Sequence, residues 1–188
     1  MVNEEKTLSS QTIYKGNITE YVLKEVELPD GKTSIREIVK HDQASAVIPF
    51  LNEDTVVFVK QFRKPIERSL YEIPAGLMDS GDKGEGLSTA KRELEEETGY
   101  KAKKWDFITS FYSSPGFTDE FLYIYEAKDL IRNNDVLKLD DNEFLEVFPL
   151  TFREAWSYYE KGEIRDAKSV FALFYWKNKL ESNKDEVN

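Results

Sequence analysis

Two runs, "ASAVIPFL" at 44–51 and "TVVFVKQF" at 55–62, stand only three residues apart and are almost continuously apolar. A strand with one wet face alternates apolar and polar residues; these do not, so both are expected as central strands covered on either side. The rest of the chain offers the cover. A helical pattern occupies 87–98, and two amphipathic segments, "TFREAWSYYEKG" and "DAKSVFALFYWKNK", follow a further set of strands. Strands, a helix, strands and then helices predict an α/β (α+β) fold: a mixed sheet with helices on both faces.

Around this centre lie weaker elements. "YVLKEVEL" and "TSIREIVKH" alternate about the turn "PDGK" and predict an N-terminal antiparallel β-hairpin within residues 1–44. Such a hairpin is too small to stand alone and calls for a partner surface. Residues 1–10 are polar and are expected to fray, and a tail over 181–188 is expected to be disordered. The main domain is then 45–180. Within it "SLYEIP" predicts a short strand, 76–86 a glycine-rich loop, and "WDFITSFYS" and "EFLYIYEA" two more strands.

The composition removes several function classes. With no cysteine, the chain has no disulfide, thiolate nucleophile or cysteine-bound zinc. One histidine, His41, read as a surface group, excludes a multi-imidazole site. A net charge of −10 without a basic cluster argues against nucleic-acid binding. No apolar run is long enough to span a bilayer, and the N-terminus lacks the pattern of a secretory signal. A cytoplasmic location is the expectation.

Against this background "RELEEETG" is anomalous, with four glutamates in five positions. At ~100° per residue, Glu93, Glu96 and Glu97 share an arc of about 100° beside the apolar stripe of Leu87, Ala90 and Leu94, while Glu95 points elsewhere. Like charges three and four apart weaken a helix, and the helix C-terminus disfavours anions. Such a placement makes sense if a divalent cation occupies the edge, and oxygen donors suit Mg²⁺ or Mn²⁺. The alternative is a solvated acidic face paired with Lys91 and Arg92.

These residues resemble the Nudix hydrolases, whose box reads G-x5-E-x7-R-E-U-x-E-E-x-G-U, with U a bulky apolar residue. Gly76 opens the box; Arg92, Glu93, Leu94, Glu96, Glu97, Gly99 and Tyr100 fill every fixed position of its second half. Fifteen residues separate Gly76 from Arg92 where the pattern has thirteen, so neither Asp82 nor Glu85 matches the first Glu cleanly. "VKQFRKPIERSLYEIPAG", "SFYSSPGFTDE" and a proline sixteen residues after Gly99 resemble the ADP-ribose pyrophosphatase branch.

The resemblance implies a Nudix-type α/β/α sandwich. It implies Mg²⁺-dependent hydrolysis of ADP-ribose to AMP and ribose 5-phosphate, Mn²⁺ being a possible substitute. It also implies a homodimer that exchanges the N-terminal hairpin. Glu93 and Glu97 would be the main metal ligands, with Glu96 and the Ala75 carbonyl adding to them and Arg92 holding the carboxylates. In the acidic loop "LDDNEFLEV", Glu143 is the candidate base or metal ligand and Asp141 the runner-up. Arg63, Arg68 and Glu72 are candidates for holding diphosphate and ribose, since guanidinium groups suit such oxygens; sheet-edge ion pairing is the plainer alternative. Pro115, Gly116 and Phe117 would wall the terminal ribose. Competing readings are a Nudix hydrolase of another nucleotide sugar, such as GDP-mannose, and a non-catalytic nucleotide-sugar sensor.

Overall fold

The computed structural model describes residues 3–78, 86–133 and 144–185. It divides into two compact units, one of Met1–Gln43 with Ser110–Leu122 and one of Ala44–Thr109 with Tyr123–Asn188.

In the N-terminal unit, β1 (Lys6–Lys15), β2 (Thr19–Glu27) and β3 (Thr33–His41) form an antiparallel sheet in the order β1-β2-β3. The β2–β3 hairpin turns where expected. Gly31 N–H donates to the Leu28 carbonyl at 2.9 Å, and Leu28 N–H to that of Lys32 at 2.7 Å. The expected frayed start is instead strand β1, paired with β2 from Lys6 opposite Glu27 to Lys15 opposite Glu20. Every β1 residue is exposed. It therefore carries no buried alternation to read; its ladder and a Thr12–Glu20 hydrogen bond of 2.5 Å hold it. His41 is half-buried rather than a plain surface group. Its Nδ1 lies 2.8 Å from the Asp42 carbonyl and 3.7 Å from the Glu120 carboxylate.

The C-terminal unit is built on a seven-stranded mixed sheet. Its main path runs β10 (Leu145–Thr151), β5 (Thr55–Arg63), β4 (Ala44–Asn52), β9 (Phe121–Arg132), β8 (Tyr100–Tyr112). Two short strands lie off that path: β6 (Arg68–Glu72) pairs with β5, and β7 (Ala75–Leu77) pairs with β4. The glycine-rich loop expected from residue 76 thus begins as a strand, because β4 offers the free edge that Ala75 to Leu77 complete.

Strand β4 is buried at every residue from Ala44 to Phe50. Val47 packs with Leu94 of α1 (Leu87–Thr98) and with Ala127 of β9. Phe50 meets Trp176 of α3 (Ala167–Asp185) edge-on, ring centroids 5.9 Å apart. Residues 47 and 50 have opposite parity on a strand, so α1 and α3 cover opposite faces. Trp176 also donates its indole N–H to the Glu53 carbonyl at 3.2 Å. Helix α2 (Phe152–Glu160) starts with a capping box: Thr151 and Glu154 satisfy each other's backbone N–H groups. The segment after Leu180, expected to be disordered, continues α3 as far as Asp185. Among the described residues no helix is long and apolar enough to cross a membrane.

On the α3 side of β9, the Glu126 carboxylate is almost completely buried. It accepts from Lys179 at 2.6 and 2.8 Å and from the Tyr175 hydroxyl at 2.9 Å, and it pairs with Lys128. Burial alone would raise its pKa; the bonds from Lys128, Lys179 and Tyr175 outweigh burial and hold it below the ordinary 4.5. A folded-state pKa below the unfolded one stabilises above the unfolded value and is lost as pH falls through the folded one. Glu126→Gln should therefore cost about 2 kcal/mol at pH 7, and that gap should shrink as pH falls below 4.5. Urea midpoints of both proteins at pH 7, 5 and 3 check this; a constant gap would separate Glu126 from acid sensitivity.

Candidate active site

Helix α1 ends where Gly99 takes up φ +70° and donates its N–H to the Glu95 carbonyl at 2.9 Å. That left-handed backbone is one glycine adopts freely, which makes it a stop signal at the sequence level. Leu94, fully buried in the core, sets the rotation of the helix. Glu93 and Glu97 then lie one turn apart beside it, only 7% and 5% exposed. Glu95 leaves in another direction, pairing with Lys101 at 2.9 Å and accepting from the Asn133 amide at 2.5 Å.

Strand β7 closes over this edge. A Cβ at position 76 would lie 1.9 Å from Glu93 Oε1 and 2.1 Å from its carboxyl carbon. Only a residue without a side chain lets the strand backbone pass the carboxylate so closely, which gives the opening glycine of the motif a physical reason. Ala75, the residue before it, sits opposite Ala46 of β4. Arg92 fastens the helix to the strand. Its Nη1 lies 2.8 Å from Glu93 and 2.7 Å from Glu96, and its Nη2 donates to the Leu77 carbonyl at 3.2 Å. One guanidinium thus offsets the repulsion between carboxylates that the bare helix would suffer.

A second cluster belongs to β5, β6 and the start of α3. Arg63, the last residue of β5, grips the buried Glu72 with both Nε (2.7 Å) and Nη2 (2.8 Å). Lys168 also donates to Glu72 Oε2, and reaches Asp166 Oδ1 at 2.9 Å. Burial pushes the Glu72 pKa up, but the Arg63 hydrogen bonds and the Lys168 charge prevail and bring it down to about 2. Hydrogen bonding to Glu72 raises the Arg63 pKa against the effect of burial, and the charge of Glu97 adds to the rise. The two clusters therefore share one electrostatic neighbourhood. Burial lowers the Lys168 pKa, yet Asp166 and Glu72 outweigh it and keep the ammonium charged. Arg68 turns away and donates Nη2 to the Gly162 carbonyl at 2.8 Å.

Of the expected residues, Arg92, Glu93, Glu96 and Gly76 come together at the α1–β7 contact, with Ala75 preceding Gly76 on β7. Glu97 lies buried one turn beyond Glu93 on α1, and Arg63, whose charge Glu97 influences, forms the second ion pair with Glu72. Pro115, Gly116 and Phe117 are exposed in the N-terminal unit, in a turn where Phe117 and Thr118 donate to the Ser114 carbonyl at 3.1 Å. Glu143, Asp141, Asp82 and Glu85 lie outside the described residues. Sequence reasoning passed over Lys168 and Asp166. The only signal was "DAK", two charges ahead of the apolar run "VFALFYW".

The α1–β7 contact suits a hard divalent cation. Its donors are carboxylate and backbone oxygens, and the bare Gly76 lets the β7 backbone lie against the Glu93 carboxylate, where any side chain would clash. Among the described residues no three acidic or imidazole side chains converge on one point. The Glu93–Glu97 pair would thus leave coordination positions to water and to a ligand's own oxygens, as Mg²⁺ prefers.

Comparison with known proteins identifies the family. The NUDIX domain model matches residues 40–173. The chain is 46% identical to the ADP-ribose pyrophosphatase of Bacillus subtilis (strain 168) over 172 residues, 92% of each protein. It is 44% identical to the methanol dehydrogenase activator of Bacillus methanolicus, again over 92% of each. The crystal structure of an ADP compounds hydrolase superposes with a TM-score of 0.84 over 97% of both chains at 20% identity, a likeness of fold. A box whose Gly76, Arg92, Glu93 and Glu96 come together, a domain match over most of the chain and relatives covered over 92% of their length give one conclusion: this chain belongs to the Nudix family.

Proposed function

We propose that this Nudix enzyme hydrolyses the pyrophosphate bond of ADP-ribose to AMP and ribose 5-phosphate, with Mg²⁺ as its metal and Mn²⁺ as a substitute. The observation that carries the reading is the pair of buried carboxylates, Glu93 and Glu97, one turn apart on α1, with Glu93 set against the bare backbone of Gly76. The likeness to the Bacillus subtilis ADP-ribose pyrophosphatase supports the substrate.

Hydrolysis joins a water oxygen to one phosphorus and breaks its bond to the bridging oxygen. A bound divalent cation would neutralise the diphosphate and lower the pKa of the attacking water. Glu93 and Glu97 would hold it, with Glu96 and the Ala75 carbonyl as further donors. Arg92 keeps the carboxylates from repelling one another. Arg63 has Nε and Nη2 committed to Glu72, but Nη1 makes no hydrogen bond among the described residues, and its side chain is 41% exposed. That edge of the guanidinium is available to phosphate oxygens. Glu143 as base, with Asp141 behind it, and Pro115, Gly116 and Phe117 as ribose contacts rest on the family pattern alone.

A homodimer joined through the N-terminal sheet is part of the same proposal. Among the described residues β1 pairs only with β2, and it exposes Leu8, Ile13 and Tyr14 beside its open edge. Soluble proteins rarely leave such an edge uncovered. Light scattering on the purified chain should give twice the mass of one chain; a monomer at micromolar concentration would contradict it.

The activity is tested with a panel of nucleotide sugars, including ADP-ribose and GDP-mannose, assayed with Mg²⁺. ADP-ribose should be the best substrate, and Glu97→Gln should lose roughly 100-fold or more of turnover with its melting temperature kept, since even outer-sphere changes cost 10–100-fold. Full-rate hydrolysis by Glu97→Gln would defeat the metal assignment. A strong preference for GDP-mannose would move the substrate, and tight ADP-ribose binding without turnover would make the chain a sensor.

A further inference from the structure

We infer that Lys168 is a substrate-positioning residue, holding Glu72 from the α3 side so that the Arg63 guanidinium is fixed for the diphosphate. The inference rests on the proposed role of Arg63.

Four charges alternate in sign along one chain of contacts: Arg63, Glu72, Lys168, Asp166. Glu72 is 3% exposed and Lys168 12%, so neither rotates into water. Lys168 cannot drift, because its segment is stitched to β6. Tyr71 N–H donates to the Glu163 carbonyl at 2.8 Å, and Ile73 N–H to the Ser169 hydroxyl at 2.9 Å. These bonds satisfy the backbone donors on either side of Glu72 and place Lys168 at its carboxylate. Asp166 in turn accepts from Lys168 and, at 3.1 Å, from the Ser169 N–H. A carboxylate gripped by Arg63 alone could swing with the arginine, whose side chain is partly exposed. With Lys168 on Oε2, it is anchored from the helix, and the guanidinium plane is set by two bonds to a fixed partner. Preorganisation of this kind tightens binding without touching the reacting atoms.

The test is steady-state kinetics of the full chain with ADP-ribose and Mg²⁺. Lys168→Gln should raise KM about tenfold, the size of one lost charge-assisted hydrogen bond, and leave kcat within about threefold. Lys168→Arg, which keeps the charge, should recover most of the loss. In an Arg63→Ala background, Lys168→Gln should add no further rise, because its effect passes through Arg63. An unchanged KM in Lys168→Gln, or the same rise with and without Arg63, overturns the inference. If Lys168→Gln does not fold, Glu72→Gln reads the same link: a KM effect present only with Arg63 supports it, and an additive one overturns it. A wild type inert on ADP-ribose but active on another nucleotide sugar overturns the substrate assignment alone, and the same variants are then read with that substrate.

Discussion

The site depends on one close approach, the passage of the β7 backbone across the Glu93 carboxylate at Gly76. A carboxylate is costly to bury unless something compensates its charge. Here Arg92 compensates Glu93 from the same helix while tying that helix to Leu77. The contact thus does two jobs with one arginine. It closes α1 against the short strand, and it keeps two acidic groups one helical turn apart at the edge of the core. The helix would be more stable without those carboxylates, which is the kind of local conflict that marks a functional site.

The sheet explains why the site has two halves. Because β4 is buried on both faces, one helix must lie on each. The carboxylates ride on α1 and the anchor of the arginine clamp on α3, so each half inherits the rigidity of a packed helix. The charge of Glu97 reaches Arg63 across this arrangement. On the proposed reading an acidic chain would bind an anionic substrate because a bound cation and one fixed guanidinium would invert the local field while the net charge stays at −10.

What was legible in the sequence follows the range of each interaction. Helix α1, its glycine stop and the sorting of Glu95 away from its neighbours are local, and periodicity reads them. The central strands were legible because burial on both faces leaves a continuous apolar run. Strand β1 was not, because it is exposed throughout and its structure comes from the β2 ladder. Lys168 was not, because its partner Glu72 lies 96 residues away in sequence. Arg63 and Glu72 could be suspected from their place before the box and from guanidinium chemistry, but the bidentate geometry that makes them a clamp is a property of the β5–β6 hairpin.

The central claim is that the α1–β7 contact holds the catalytic metal. It is tested most directly by a crystal structure of the chain soaked in Mn²⁺, with anomalous scattering used to locate the ion. The account predicts an anomalous peak bonded to carboxylate oxygens of Glu93 and Glu97, beside Gly76, and no such peak in Glu97→Gln. A peak elsewhere, with these two carboxylates left to Arg92 and water, would contradict it.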